Sequence, residues 1–328
     1  MKYIRLKNII FLVTLCSYIT SYTSWIPIGN PITDSNNSSL NSNGNTVAVN
    51  DLNATLVIIY QFDGANWIQR GDTITDSDYP SLSADGNTLA IHNVNTNSVL
   101  IYQFDGANWI QRGNTISDSQ TPSLSADGNT VAVVDLTFPL SAIIYEFNGT
   151  SWFIKGSSIT GDLDPSLNSN GNTVAVYDSN TSSVIVYQFD GINWIQRGNT
   201  ISDSQTPLLS ANGFTVAVHD SNTNSVVVYQ FDGTSWTQRG NTISDSNNPS
   251  LSADGFTVAV YNLNTSSVIV YRYPTNSFII STSLILNQQL AKASYSDISQ
   301  PTTPAAPTNP AGLGQGAQFS APHITVQG

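Results

Sequence analysis

All six tryptophans of this chain lie on one ruler: Trp25, Trp67, Trp109, Trp152, Trp194 and Trp236, separated by 42, 42, 43, 42 and 42 residues. A scarce residue placed so regularly makes the chain a tandem repeat. A period near 42 fits four-stranded propeller blades or helical-pair solenoids, and residue type decides between them. One unit reads Pro249-Ser-Leu-Ser-Ala-Asp-Gly-Phe-Thr-Val-Ala-Val-Tyr261, then a polar loop, then Ser267-Val-Ile-Val-Tyr-Arg-Tyr273. The runs are short, β-branched and aromatic, and Asp-Gly, Asn-Gly or Ser/Asn/Thr loops part them without helical spacing. The repeat is β.

Four antiparallel strands fit each unit. A short first strand such as Pro80-Ser-Leu-Ser83 leads to a turn, with counterparts at Asn43-Gly44, Asp85-Gly86, Asp127-Gly128, Asn170-Gly171, Asn212-Gly213 and Asp254-Gly255. Asn-Gly and Asp-Gly suit a type I′ hairpin, which needs positive φ at both central residues. Thr-Val-Ala-Val follows as the second strand and Val-Tyr-Gln-Phe as the third. A further turn at Asp63-Gly64, Asp105-Gly106, Asn148-Gly149, Asp190-Gly191 or Asp232-Gly233 returns the chain as a fourth strand carrying the tryptophan. The tryptophans are expected to fill the widening gap between blades, the alternative being a ring of sugar-stacking platforms.

There are six cores of strands one to three but seven fourth-strand candidates, the first being Ser24-Trp-Ile-Pro-Ile-Gly-Asn-Pro-Ile-Thr-Asp-Ser35. The expected fold is therefore an all-β, six-bladed propeller over 22–284, whose N-terminal strand completes the last blade. An open array or a seventh partial blade is the alternative. Residues 1–21 combine a basic head with an apolar run of about a dozen residues, a signal-like segment too short to span a bilayer; an uncleaved anchor is the other reading. Its Cys16 is the one cysteine. The Pro/Gly/Ala-rich tail, 285–328, cannot bury a core and is expected to be largely disordered or to tether the body to a larger assembly. Asn-x-Ser/Thr sequons stand at Asn36, Asn37, Asn53, Asn148, Asn180 and Asn264.

Ser-Leu-Ser-Ala-Asp-Gly-Asn-Thr-Val-Ala-Val, followed by Val-Tyr-Gln-Phe-Asp-Gly-x-x-Trp-x-Gln-Arg-Gly, resembles the FG-GAP-like, integrin-alpha-like propeller repeats over roughly residues 24 to 280. The resemblance implies a secreted, cell-surface or virion-surface propeller serving adhesion or ligand binding. The Asp-x-Asp-x-Asp-Gly calcium loops of integrin-type members are missing, so no metal or other cofactor is carried over.

Only 10% of residues are charged and the formal net charge is −12, which argues against nucleic acid as a partner. The expected activity is non-enzymatic binding of a protein or glycan on one propeller face, with a multivalent lectin as the alternative and an inter-blade enzyme as the third possibility. Comparing the repeats with one another points to that face. The position after Val-Ala-Val varies: Asn50, His92, Val134, Tyr177, His219 and Tyr261. At the same end of each blade, the connection from strand four to strand one contributes Asp34, Asp76, Asp118, Asp162, Asp203 and Asp245, an acidic ring expected to face one end of the central channel. Arg70, Arg112, Arg197 and Arg239, with Lys155 in the fourth copy, are expected to be solvated edge charges on outer strands.

Overall fold

A computed structural model describes residues 28–274, apart from 34, 52, 138, 161, 162 and 266. Six antiparallel sheets follow one another along the chain, and their inner strands surround a common channel. The second blade is representative. Its inner strand Ser77–Leu82 pairs with Thr88–Asn93, which pairs with Ser98–Phe104. The outer edge consists of two pieces, Trp109–Gln111 and Ile116–Ser117, both paired to Ser98–Phe104. Such short edges blunt the exposed backbone that would otherwise recruit another strand. The chain is an all-β, six-bladed propeller.

Second-strand residues are buried on both faces because each sheet is packed between neighbours, and the apolar clusters cross the seams. Ala90, Val99, Ile101 and Ile116 of the second blade meet Leu124, Val131, Val133 and Trp152 of the third. The indole N–H of each described tryptophan donates back across the seam, from Trp109 to the Arg70 carbonyl at 2.9 Å and from Trp152 to the Arg112 carbonyl at 2.8 Å. Trp109, Trp152, Trp194 and Trp236 are buried this way, so they act as packing and not as sugar platforms. Backbone bonds run from Ser42 to Ala84, Ala84 to Ala126, Ala126 to Ser169, Ser169 to Ala211 and Ala211 to Ala253, lacing five seams.

Two expectations are corrected. In the first hairpin turn only the glycine has positive φ, as at Gly86 (+72°), so the turn is not type I′. The Gly86 N–H donates to the Ser83 carbonyl and the Ser83 hydroxyl to Asp85 Oδ1, while Ser83 Oγ accepts the Thr88 N–H. This is a type I turn closed by a left-handed glycine, which a serine two residues before the Asp stabilises. The basic residues are also not solvated edge charges. The Arg70 guanidinium lies 4.0 Å from the ring centre of Phe104 in the next blade and donates to the Gly86 carbonyl at 2.6 Å. Arg112 repeats this on Phe147 and Gly128, and Lys155 on Phe189 and Gly171. Each cation is a clamp between blades, held by a ring face and an otherwise unpaired turn carbonyl.

The sixth sheet has three described strands, and the expected closing strand around Trp25 lies outside the described residues. The seam from the sixth blade to the first accordingly differs from the other five. Leu40 is 58% exposed where its counterpart Leu82 is 8%, and Val268 is 67% exposed where Val57 and Val99 are fully buried. The chain that leads into the first blade already imitates the end of a fourth strand. Trp67 donates to the Ile28 carbonyl at 3.1 Å, as Trp109 does to that of Arg70.

Candidate functional site

The inner strands begin three residues earlier than the first-strand run read from the sequence, and the last of the added residues joins the proline after it in the wall of the channel. In every blade the pairing of inner and second strands slips by an extra residue: between Asp78 and Ser81, Gln120 and Ser123, Gln205 and Leu208, and likewise in the other three. A β-bulge of this kind turns one side chain away from the pleat and is a common way to aim a residue into a site. The re-aimed residues are Asn37, Tyr79, Thr121, Asp164, Thr206 and Asn248, all with φ between 39° and 50°. In five blades the next residue is proline, which has no N–H to lose from the ladder. For Thr121 and Thr206, β-branched residues at φ of 44° and 46°, this backbone is strained by about 1–3 kcal/mol each.

Together these residues and their prolines line a channel of about 440 Å³. Its wall varies from blade to blade, although the strands behind it are nearly identical copies. Among the described residues, Asp164 is its one carboxylate and Tyr79, 47% exposed, its one aromatic ring. Solvent reaches the Asp164 side chain, yet the crowding wall displaces enough water to raise its carboxyl pKa by desolvation. The hydroxyl oxygens of Thr121 and Thr206, in the blades on either side of Asp164, are buried without a hydrogen-bond partner.

The variable ring lies directly behind this wall. Asn50, His92, Val134, Tyr177, His219 and Tyr261 pair across the bulge with Asn36, Asp78, Gln120, Leu163, Gln205 and Asn247. His92 is buried, its Nδ1 2.8 Å from Asp78 Oδ1, and His219 Nδ1 lies 3.1 Å from the Gln205 amide nitrogen. Burial lowers the His219 pKa, with Asp220 partly opposing the shift. Tyr261 is exposed and Tyr177 half-buried. The ring is thus a mixture of channel-backing and exposed groups.

Of the aspartates, Asp76, Asp118, Asp203 and Asp245 are exposed at φ of 52–56°, a conformation aspartate tolerates better than most residues. In three of them the carbonyl accepts from the residue after the second strand: Asp76 from Val94 at 2.9 Å, Asp118 from Leu136 at 2.7 Å and Asp245 from Leu263 at 2.8 Å. Strand two and the connection therefore meet at one end of the blade. These four stand three residues upstream of the channel residues and are not part of the channel lining. Asp34 and Asp162 lie outside the described residues. Among the described residues, no three His, Cys, Asp or Glu side chains converge as a metal site would require.

Sequence reasoning missed the bulge residues. Their signal was a proline repeated inside a strand, preceded by two positions that vary among the copies, only the third and fifth blades sharing a pair: Asp78-Tyr79-Pro80, Gln120-Thr121-Pro122, Leu163-Asp164-Pro165, Gln205-Thr206-Pro207 and Asn247-Asn248-Pro249.

No family model matches the chain, and no curated protein matches it in sequence. Solved structures do resemble it. A protein from Lactobacillus plantarum is 14% identical with a TM-score of 0.56, covering 73% of this chain and 81% of its own. A functionally unknown protein from Desulfotomaculum acetoxidans is 15% identical with a TM-score of 0.54, covering 73% and 82%. The β-propeller domain of Cps50 (Swd1) from Myceliophteria thermophila is 13% identical with a TM-score of 0.53, covering 76% and 85%. At such identities the likeness is one of fold: a β-propeller.

Proposed function

We propose that this protein is a non-enzymatic binding module, secreted or carried on a cell or particle surface, whose ligand engages the channel wall and the variable residues behind it. One observation carries the reading. Six nearly identical blades diverge where a strained bulge aims a side chain into the channel, and repeats that served packing alone would have no use for that diversity. The signal-like N-terminus, the weakly charged polar composition and the FG-GAP-like motifs support a surface role, with the tail as a tether to a larger assembly. A protein ligand is favoured over a glycan because four of the tryptophans are spent in the seams. Carbohydrate binding would have to rest on Tyr79, Tyr177 and Tyr261.

The test replaces the channel's diversity with the side chain already present in the third and fifth blades. A Tyr79→Thr, Asp164→Thr, Asn248→Thr triple variant is compared with the unaltered protein on glycan and cell-surface-protein arrays. Loss of binding at an unchanged melting temperature supports the channel as the ligand site. Binding of equal strength by both proteins refutes it.

A further inference from the structure

The channel wall also restricts the chemistry of what it can hold, and the following step rests on its being the ligand site. We propose that the channel binds a primary ammonium group at the end of an unbranched aliphatic stem, the chemistry of a lysine side chain or a small alkyl amine, with Asp164 as its counter-ion.

Three features of the wall support this. First, among the described residues the wall carries one carboxylate and no cationic side chain, so an anionic ligand would meet repulsion. Second, the threonine hydroxyls on either side of Asp164 are buried and unpartnered. An ammonium has three donors and no acceptor, so it can donate to the carboxylate and keep donors for neighbouring wall oxygens. A guanidinium, with five donors in a plane, is best matched by a bidentate carboxylate with room for a flat fork, and a hard divalent cation needs several oxygen ligands of higher total charge. Third, the bulge prolines give the wall an apolar collar, against which methylene groups can lie while the charged end reaches the carboxylate. A carboxylate whose pKa is raised by desolvation is held charged at a cost, which a bound ammonium removes.

The experiment titrates the propeller with N-acetyl-lysine methylamide, with n-pentylamine and with the neutral N-acetyl-norleucine methylamide, following the amide chemical shifts of Thr121, Asp164 and Thr206. Saturable shifts are expected with at least one amine and none with the neutral probe. Response to the lysine derivative alone identifies a protein side chain as the source, and response to pentylamine alone a free amine. Asp164→Asn should weaken amine binding about tenfold or more, the usual worth of a charge-assisted hydrogen bond. The double variant D164N/T206D moves the carboxylate one blade along the same wall, to a position whose φ suits aspartate better than threonine, and should restore most of the affinity. That recovery excludes misfolding of D164N as the cause. Equal binding of the neutral probe, unchanged amine binding in D164N, or no saturable shift with either amine overturns the proposal. If amines fail while the triple variant still loses array binding, the ligand class is wrong and the channel remains the site. If amines bind as expected while the triple variant keeps its array partners, the array ligand uses another surface.

Discussion

The approach of one blade to the next can be measured by adding a single methyl group at two glycines. Gly149 lies in an outer turn at φ +99°, and a Cβ built there meets nothing within 4 Å. Gly171 lies in an inner turn at φ +65°, where a Cβ would stand 2.5 Å from Thr130 Cβ and 2.6 Å from its Oγ1, across the seam to the preceding blade. Both changes to alanine impose backbone strain, about 1–2 kcal/mol for an L-residue at positive φ. Only Gly171→Ala adds overpacking, about 1–3 kcal/mol more. Thr130 cannot easily withdraw, because it is buried and its N–H is held by Ser125 Oγ at 2.9 Å. Gly149→Ala should therefore lose about 1–2 kcal/mol and Gly171→Ala about 2–5 kcal/mol in urea denaturation. A Thr130→Ala background removes the oxygen and methyl facing Gly171 but leaves the Cβ. It should relieve part of the Gly171→Ala cost, whereas its effect combined with Gly149→Ala should be additive within about 0.5 kcal/mol. Equal losses for the two glycines, or additivity in both backgrounds, would refute the close seam that sets the channel's width.

Further expectations follow from the seams and the histidines. A cavity of about 500 Å³ beside Gly240, Leu251, Phe256 and Tyr273 occupies the place where other seams seat a tryptophan against a glycine, and on the 42-residue ruler Trp25 and Phe278 both map to it. If the N-terminal strand closes the ring, Trp25→Ala should cost about 3–5 kcal/mol and Phe278→Ala far less; the reverse ranking, read by thermal melting, would reject that closure. Arg112→Met should lose about 1–3 kcal/mol and Arg112→Lys less, since Lys155 already makes the same clamp on Phe189; equal losses would deny the ring-face contact. His219, with its pKa below the ordinary 6.5, contributes stability that is full above pH 6.5 and is lost as pH falls toward the lowered folded value. Replacing it with the tyrosine used in the fourth and sixth blades should flatten stability in that window, and an unchanged pH profile of melting would remove the argument. The turn aspartates, such as Asp63 with the Ala65 and Asn66 N–H groups on its Oδ1, have pKa values held below 3.8, so their contribution is lost only in stronger acid and does not mask the histidine window.

The architecture was legible because its signals are local and repeated. A tryptophan every 42 residues, with glycine turns between β-branched runs, admits little besides blades. What misled were features whose decisive partner lies elsewhere. Asp85-Gly86 reads as a type I′ turn until Ser83 is seen to donate to Asp85 and accept from Thr88, which favours a type I turn with one left-handed residue. Arg70 reads as a rim charge because its ring partner, Phe104, is 34 residues away on the next blade, where only the closed seam brings them within 4.0 Å. The sequence reading starts the short first strand at Pro80, and proline cannot donate to a ladder. The bulge is what lets the strand continue through that proline, so it hid Tyr79 and its counterparts.

A repeat protein carries an internal control that a single domain lacks. Each core position is tested in several nearly identical settings, and a residue needed for packing converges on one solution: alanine in the middle of the second strand, tryptophan in the fourth. A position whose solution varies among the copies is free of that constraint or is bound by one that differs around the ring. The exposed aspartates belong to neither group, since they are uniform and their left-handed backbone accounts for them. Drift in a left-handed position should settle on glycine, asparagine or aspartate, and Asn37, Asp164 and Asn248 fit that pattern. Thr121, Thr206 and Tyr79 instead keep side chains that are costly at φ of 44–47°, in a wall facing a common axis. Strain held at several points around one channel, in side chains that differ, is what a pre-shaped site for an asymmetric ligand requires.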